Sequence, residues 1–560
     1  MSAIPSSRFR GPAALLRLGS RLRETEGTTG ANPTQLGTVG SVLIALSALR
    51  IGALPRSDVF GNFPILGWFS TSAAGLIIGI LGAVLGAVML VAAWISLGRD
   101  VLRRPTPLVA DLPSLARTVG LWSIPFLLCP PILSSDAYAY AAQAHIARLG
   151  MNPYLVTPLQ APSEFSDAVD PTWKDFPAPY GPLFLFAAGR VLDATDQIPG
   201  DRVLLGVIGL RLLAAAGVLL LVAFLPRLAA AVGGDPMVAM WLGAANPMVI
   251  LHFVGGMHND ALMMGLLVAG MALAAEGRLV HGVIVVTASA LVKPIALIGV
   301  AFVVLLWVRA RVGDPELDDS ARWSLRARLG MVQGATKQRL TAFVPPVLLA
   351  LSMFAVISLA SGIGLGWIRG LSNPGSVFTA LSLPTVVGSA AGWLVAVVGL
   401  PDMTDHVVAT LREVGIVVAS LGISVMLLRH RGRDVATTCG YAFALLLLLS
   451  PAVQPWYLLW PVILLGAGNW GVYRPGIAES RRRLLALVWG SAAFTFFTVI
   501  DGAVLLSSSV AIVIGVLTLG LLAVVSHHLA QYVRPRDADD GDLLAVLPTH
   551  RELMNALHLH

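Results

Sequence analysis

Ser134-Ser135-Asp136-Ala137-Tyr138-Ala139-Tyr140-Ala141-Ala142-Gln143 follows directly on an apolar run in a chain that otherwise avoids charge. A carboxylate beside two tyrosines at the water end of a membrane helix is a candidate active site. From Asp136 the sequence reads as a helix stopped at Gly150 and followed by an Asn152-Pro153-Tyr154 turn, with Asp136 as its cap. On that helix Tyr140 and Gln143 share a face, and Asp136 lies beside Tyr140 at four-residue spacing. The plainer reading makes Asp136 an N-cap and nothing more. Lys293 is the second residue whose type invites chemistry. A lone ammonium inside an apolar span is costly and calls for an anionic partner, and a lipid phosphate would be one.

Two further clusters stand at the ends of apolar runs. In Gly255-Gly256-Met257-His258-Asn259-Asp260, Asn259 and Asp260 could simply cap the next helix, whereas His258 has no capping duty. In Pro451-Ala452-Val453-Gln454-Pro455-Trp456-Tyr457 the aromatic residues fit an interface belt, and Gln454 does not. Arg211, inside an apolar run, could meet a phosphate or a neighbouring helix, and both readings stay open. Arg148, Trp173 and Tyr180 share the long polar stretch after Asp136.

The elements that must position these groups follow from composition. Of the 560 residues 56% are hydrophobic and 12% charged, and the mean hydropathy is +0.79. Soluble domains carry about 25% charged residues, so the chain is an all-α polytopic membrane protein. The net charge of +7 comes from arginine clusters between apolar runs, which points to membrane orientation and not to nucleic acid. Cys129 and Cys439 both lie in apolar runs and read as core filler. Arg8, Arg10, Arg17, Arg21 and Arg23 mark a cytoplasmic tail over 1–34, without the pattern of a signal peptide.

The positive-inside rule then orders the spans. Runs near 36–54, 71–97 and 115–133 leave 134–200 outside. Runs near 202–225, 237–256 and 260–276 follow, and the basic loop from Arg309 to Arg339 returns to the cytoplasm. That requires 280–308 to enter and leave on one face as two short helices broken at Lys293-Pro294, with Lys293 at the tip. Runs near 340–362 and 406–428 bracket an outer segment whose part 384–400 is a re-entrant or additional helix. Runs near 436–452, 455–468, 484–501 and 503–527 complete a single domain over 35–530, with about 13–14 membrane segments at roughly 20 apolar residues each. A second cytoplasmic tail covers 531–560. Gly75-x-x-x-Gly79 and Gly82-x-x-x-Gly86 read as helix-packing surfaces.

SSDAYAYAAQAHIARLGMNPY, WKDFPAPYGPLF, WLGAANPMVILHFVGGMHNDALM, KPIAL and QPWYLLWP occur in this order. In these segments the chain resembles the actinobacterial polyprenol-phosphomannose-dependent α-1,6-mannosyltransferases, over about residues 30 to 530, and looks most like their MptB branch. The resemblance implies a GT-C glycosyltransferase fold, a hexosyltransferase activity in the plasma membrane with its site on the extracytoplasmic face, and an essential carboxylate in the first long outer loop. By carry-over that carboxylate is Asp136. The wider group often has two adjacent acidic residues there. Here Ser135 and Ala137 flank Asp136, so neither a metal built on a carboxylate pair nor a cofactor is expected, while a divalent cation stays open.

The donor implied is polyprenyl-phosphate mannose, and the acceptor a phosphatidylinositol mannoside or related membrane glycolipid on the way to lipomannan and lipoarabinomannan. A β-linked donor and an α-linked product mean one inverting displacement. Asp136 would act as general base on the acceptor 6-hydroxyl. Lys293, helped by Arg148, Arg211 or His258, would hold the leaving phosphate. Tyr138, Tyr140, Gln143, Trp173, Tyr180, Asn259, Asp260, Gln454, Trp456 and Tyr457 would contact sugar or acceptor. The rivals are a GT-C transferase using another polyprenyl-phosphate sugar such as arabinofuranose, a glycolipid transporter or flippase, and a non-catalytic scaffold.

Overall fold

Backbone polar groups inside lipid must be satisfied within the protein, so apolar runs fold as helices and irregular chain is confined to places that protein covers. The computed structural model describes residues 32–54, 63–103, 111–313, 325–370, 381–429, 434–469 and 478–504. The helices that matter are α1 (Pro33–Ile51), α2 (Ala73–Arg103), α3 (Leu112–Ser123), α4 (Asp136–Arg148), α5 (Pro182–Thr195), α6 (Arg202–Val232), α7 (Pro236–Leu242) and α8 (Asp260–Ala275). They are followed by α9 (Leu279–Val292), α10 (Leu297–Val312), α11 (Leu325–Ala360), α12 (Leu383–Val397), α13 (Thr404–Arg429), α14 (Val435–Leu449), α15 (Leu459–Ala467) and α16 (Ala478–Val504). Among the described residues six helices are long and apolar enough to cross a membrane, and a bent pair can count as a seventh. Four shorter apolar helices accompany them. The chain is an all-α polytopic membrane protein. Beyond Val504, where α16 ends, the segment expected at 503–527 and the tail at 531–560 lie outside the described residues, as do residues 1–31 of the N-terminal tail.

The glycine stripes expected to pack helices do so: a Cβ on Gly86 of α2 would stand 2.6 Å from the Gly40 carbonyl oxygen of α1. Cys129 and Cys439 are buried free thiols. The break expected at Lys293-Pro294 is also present, and Gly299 of α10 lies against Val286 of α9, so the chain doubles back there. Of the two short helices expected, only α9 is short, because Pro294–Val312 has 19 residues and is long and apolar enough to cross a membrane. The run at 384–400 forms a helix of its own, α12, packed on α13 through Gly388 and Gly392.

Two expected spans differ. The run 115–133 is helical only through α3 and one 3-10 turn, Ile124–Leu127, because Pro125, Pro130 and Pro131 cannot donate to a helical ladder. The run 237–256 stops after α7, and a π-helical turn, Val249–Gly255, then meets α8 at 114°. Pro247 forces that stop. Asn246 repairs it by accepting from the Met248 N–H and donating to the Leu242 carbonyl and the Ser491 hydroxyl.

Both breaks leave carbonyls without helical partners, and one side chain collects them. Arg211 of α6, 1% exposed, donates from Nη1 to Leu127 O at 3.0 Å and Cys129 O at 2.6 Å, and from Nη2 to Gly255 O at 3.5 Å. Of its two readings, a phosphate or a neighbouring helix, the structure shows a contact within the protein, made to carbonyls where two helical runs break. We expect Arg211→Met to cost about 3 kcal/mol or more of stability, since each buried carbonyl left unpaired costs about 1–3 kcal/mol. Breaking the exposed Arg190–Asp193 pair by Arg190→Ala should cost under about 1 kcal/mol. Thermal unfolding midpoints in detergent check both, and a small loss at Arg211 would contradict the organising role.

Candidate active site

α4 does not start as expected. Ser135 is the N-cap and makes no side-chain cap bond, while Asp136 is the first helical residue, its N–H bound to Ser134 Oγ at 3.1 Å. Asp136 as a cap is therefore corrected: its backbone has entered the helix and its carboxylate is turned to other neighbours. Those neighbours define a cavity of about 590 Å³. Asp136, Tyr140 and Gln143 line it from α4, Trp173 and Tyr180 from the following loop, Lys293 from the α9–α10 tip, and Gln454 and Tyr457 from the turn before α15. Tyr140 and Tyr180 meet edge to face, with ring centres 5.0 Å apart.

Other sequence candidates stand off this wall. Tyr138 donates its hydroxyl to the Ala53 carbonyl at 2.8 Å and ties α4 to the end of α1, so it is not placed to touch a sugar. Arg148 pairs with Asp196 at 2.6 Å and Asp193 at 3.5 Å, fixing α4 to α5 and pointing away from the cavity. Asp260 is fully buried. It receives Lys293 Nζ at 2.8 and 2.9 Å and Trp460 Nε1 at 2.8 Å, so it serves the lysine and does not reach an acceptor. Asn259 is buried, does not cap α8 through its side chain, and makes no side-chain hydrogen bond among the described residues. His258 and Trp456 form a stack 3.6 Å apart directly behind Asp136. His258 Nδ1 lies 3.6 Å from Asp136 Oδ2 and 3.5 Å from the Tyr140 hydroxyl.

The anionic partner that Lys293 calls for is Asp260, inside the fold, where a lipid phosphate was the expected candidate. The ion pair is nevertheless on the cavity wall, with Nζ 4.7 Å from the Tyr457 ring centre and 5.5 Å from that of Trp460. Asp136 feels this pair and its own burial. Burial raises its pKa to about 6, Lys293 opposing and Asp260 adding to the rise. A carboxylate raised in this way titrates nearer to neutral pH than a free one, which is the range that suits proton uptake.

Sequence reasoning missed Arg412 and Glu413, which enter the cavity wall from α13. A charge pair inside the apolar run 406–428 was the available signal. Arg412 Nε donates to Thr385 Oγ1 at 2.9 Å, and Thr385 in turn donates to the Pro451 carbonyl at 2.8 Å. Ile416, Leu446 and Leu447 extend the same wall with alkyl side chains from α13 and α14. The cavity thus combines two carboxylates, Asp136 and Glu413, two cations, Lys293 and Arg412, and an apolar surface continuous with membrane-spanning helices, a lining that suits an amphiphilic ligand.

Comparison with known proteins meets this geometry from the other side. Residues 34–309 match the family model for the N-terminal domain of α-(1→6)-mannopyranosyltransferases, and residues 384–529 match the MptB C-terminal domain. α-(1→6)-Mannopyranosyltransferase A of Mycobacterium tuberculosis is 33% identical over 471 residues, covering 84% of each chain. A probable α-(1→6)-mannopyranosyltransferase of Mycolicibacterium smegmatis is 32% identical over 512 residues, 83% of this chain and 84% of the relative. α-(1→6)-Mannopyranosyltransferase B of Corynebacterium glutamicum is 29% identical over 491 residues, 83% and 76% respectively. No solved structure matches. Similarity of this extent, running through both halves that wall the cavity, makes the chain an MptB-like member of the α-(1→6)-mannopyranosyltransferase family.

Proposed function

We propose that the protein is an inverting GT-C mannosyltransferase of the plasma membrane. It takes mannose from polyprenyl-phosphate mannose and adds it to the 6-hydroxyl of a lipid-linked mannoside, such as a phosphatidylinositol mannoside, on the extracytoplasmic face during lipomannan backbone synthesis. The observation that carries the reading is Asp136 on the same cavity wall as Lys293, in a family named for this transfer. In the proposed step the acceptor oxygen forms a bond to the anomeric carbon as the bond to the phosphate oxygen breaks. The hydroxyl proton passes to Asp136 and the bonding electrons leave with the phosphate. That leaving group is weakly basic and needs positive charge rather than an acid. Lys293 provides it, with Arg412 as second cation in place of Arg148 and Arg211. Gln143 and Gln454 read sugar hydroxyls, Tyr140, Trp173, Tyr180 and Tyr457 supply ring faces, and Ile416, Leu446 and Leu447 take the start of the prenyl chain.

Asp136→Asn, at matched abundance in membranes, should lower transfer of labelled mannose from polyprenyl-phosphate mannose to an α-1,6-mannoside by at least ~100-fold, the usual contribution of a general base. In the wild type the base must be ionised, so transfer should fall as pH drops through about 6. Transfer that is level down to well below that pH, or wild-type rates in Asp136→Asn, would contradict the assignment.

Lys293 carries a structural and a chemical duty that a second pair of variants separates. Lys293→Met leaves Asp260 buried without its counter-ion and should cost about 3–5 kcal/mol of stability. Lys293→Met combined with Asp260→Asn removes the stranded charge while keeping an acceptor for Trp460, so the thermal midpoint should recover. Mannose transfer should stay low in the double variant, and recovery of transfer along with stability would limit Lys293 to a scaffold role.

A further inference from the structure

The geometry points to His258 as the positioning residue of Asp136: its Nδ1–H holds the carboxylate toward the cavity, and Trp456 holds the imidazole. The inference rests on the reading of Asp136 as the base. His258 is wholly buried and does not line the cavity, so it meets substrate nowhere. Its Nδ1 faces Asp136 Oδ2 at 3.6 Å, beyond hydrogen-bond length. A small rotation of the carboxyl closes that gap, and catalytic hydrogen bonds often tighten only in the complex. Among the described residues Nε2 has no hydrogen-bond partner. Nδ1 also faces the Tyr140 hydroxyl at 3.5 Å, which could donate to a lone pair there. The proposal takes the Nδ1–H tautomer, in which the proton meets the Asp136 carboxylate and the Tyr140 oxygen is left to accept. The Trp456 stack, with planes 19° apart, leaves the ring little freedom to turn.

Backbone conformation marks the same pair. Among the described residues Leu133 (φ 62°) and Met257 (φ 59°) are the non-glycine residues in the left-handed region. One precedes Asp136 by three positions and the other adjoins His258. Such conformations persist only where the surroundings impose them, and they gather at functional sites. Here the Ile132 N–H bond to Gly255 O at 3.2 Å, and Arg211 bound to both loops, impose them. The fold strains both approaches to bring this imidazole and this carboxylate together.

The test replaces the ring and the donor separately. His258→Phe keeps a ring to stack on Trp456 but has no N–H. His258→Asn keeps an N–H near the Nδ1 position but loses the stack. At matched membrane abundance His258→Phe should lower kcat about 10- to 100-fold with little change in KM, the effect of losing one hydrogen bond to a charged group. The acid limb of its pH–rate profile should move to higher pH, because a lost donor no longer favours the ionised carboxylate. The other groups facing Asp136, namely Lys293, Asp260, Asp170, Tyr140, Tyr180 and Tyr457, are unchanged in this variant, as is His252 behind His258. His258→Asn should restore most of kcat and the wild-type acid limb. If His258→Phe fails to accumulate, His258→Leu replaces it in the comparison. A donor-less variant with wild-type kcat and acid limb, or an equal loss in the donor-less and Asn variants, overturns the inference. Asp136→Asn, run alongside, distinguishes the two levels: if it stays active the base reading itself fails, and if it is inactive while His258→Phe is normal only the positioning role fails.

Discussion

A guanidinium buried between broken helices is the constraint on which the site depends. Pro125, Pro130 and Pro131 on one side and Pro247 on the other interrupt two runs that composition alone would carry straight across the membrane. Each interruption leaves carbonyls buried inside the protein, where an unpaired acceptor is costly. Arg211 answers both, binding Leu127 and Cys129 of one loop and Gly255 of the other. The loops it joins lead directly to Asp136 and to His258. Position of the candidate base is thus a consequence of how the bundle satisfies its own backbone.

The cavity is assembled from both halves of the chain. Asp136 and Lys293 come from the part that matches the N-terminal family domain, and Arg412, Gln454 and Tyr457 from the part that matches the C-terminal one. Their union is sealed by charge. Lys293 and Asp260 pair inside the first half, and Trp460 of the second half donates to the same carboxylate. A buried ion pair gains little net stability, because desolvation offsets attraction. Its value here is placement: the lysine stays charged at the cavity wall while Asp260 and the rings of Tyr457 and Trp460 keep it from folding back.

Much of this was legible in the sequence. The helical class followed from hydropathy, the hairpin from Lys293-Pro294, and the facing of Asp136, Tyr140 and Gln143 from helical spacing. Lys293, Gln454 and Tyr457 were legible too, as polar or aromatic residues at apolar ends. The failures share one cause. Periodicity shows where a helix can run but not which side chain is spent on repairing a broken one, so Arg211, Arg148, Tyr138 and Asp260 read as ligand contacts although each has a partner inside the fold. Arg412 was missed for the converse reason: its run was taken as an ordinary span, and only the fold brings it into the same cavity lining as Lys293.

The measurement that bears most directly on the central claim, one displacement with Asp136 as its single base, is the anomeric configuration of the product. Polyprenyl-phosphate mannose labelled with ¹³C at the β-linked anomeric carbon, given with an α-1,6-dimannoside to membranes carrying the wild-type protein, allows that carbon to be followed by its one-bond C–H coupling. The account predicts an α-linked mannose on the 6-hydroxyl and no product from an acceptor lacking that hydroxyl. A β-linked product would require two displacements and a nucleophile, and would contradict it.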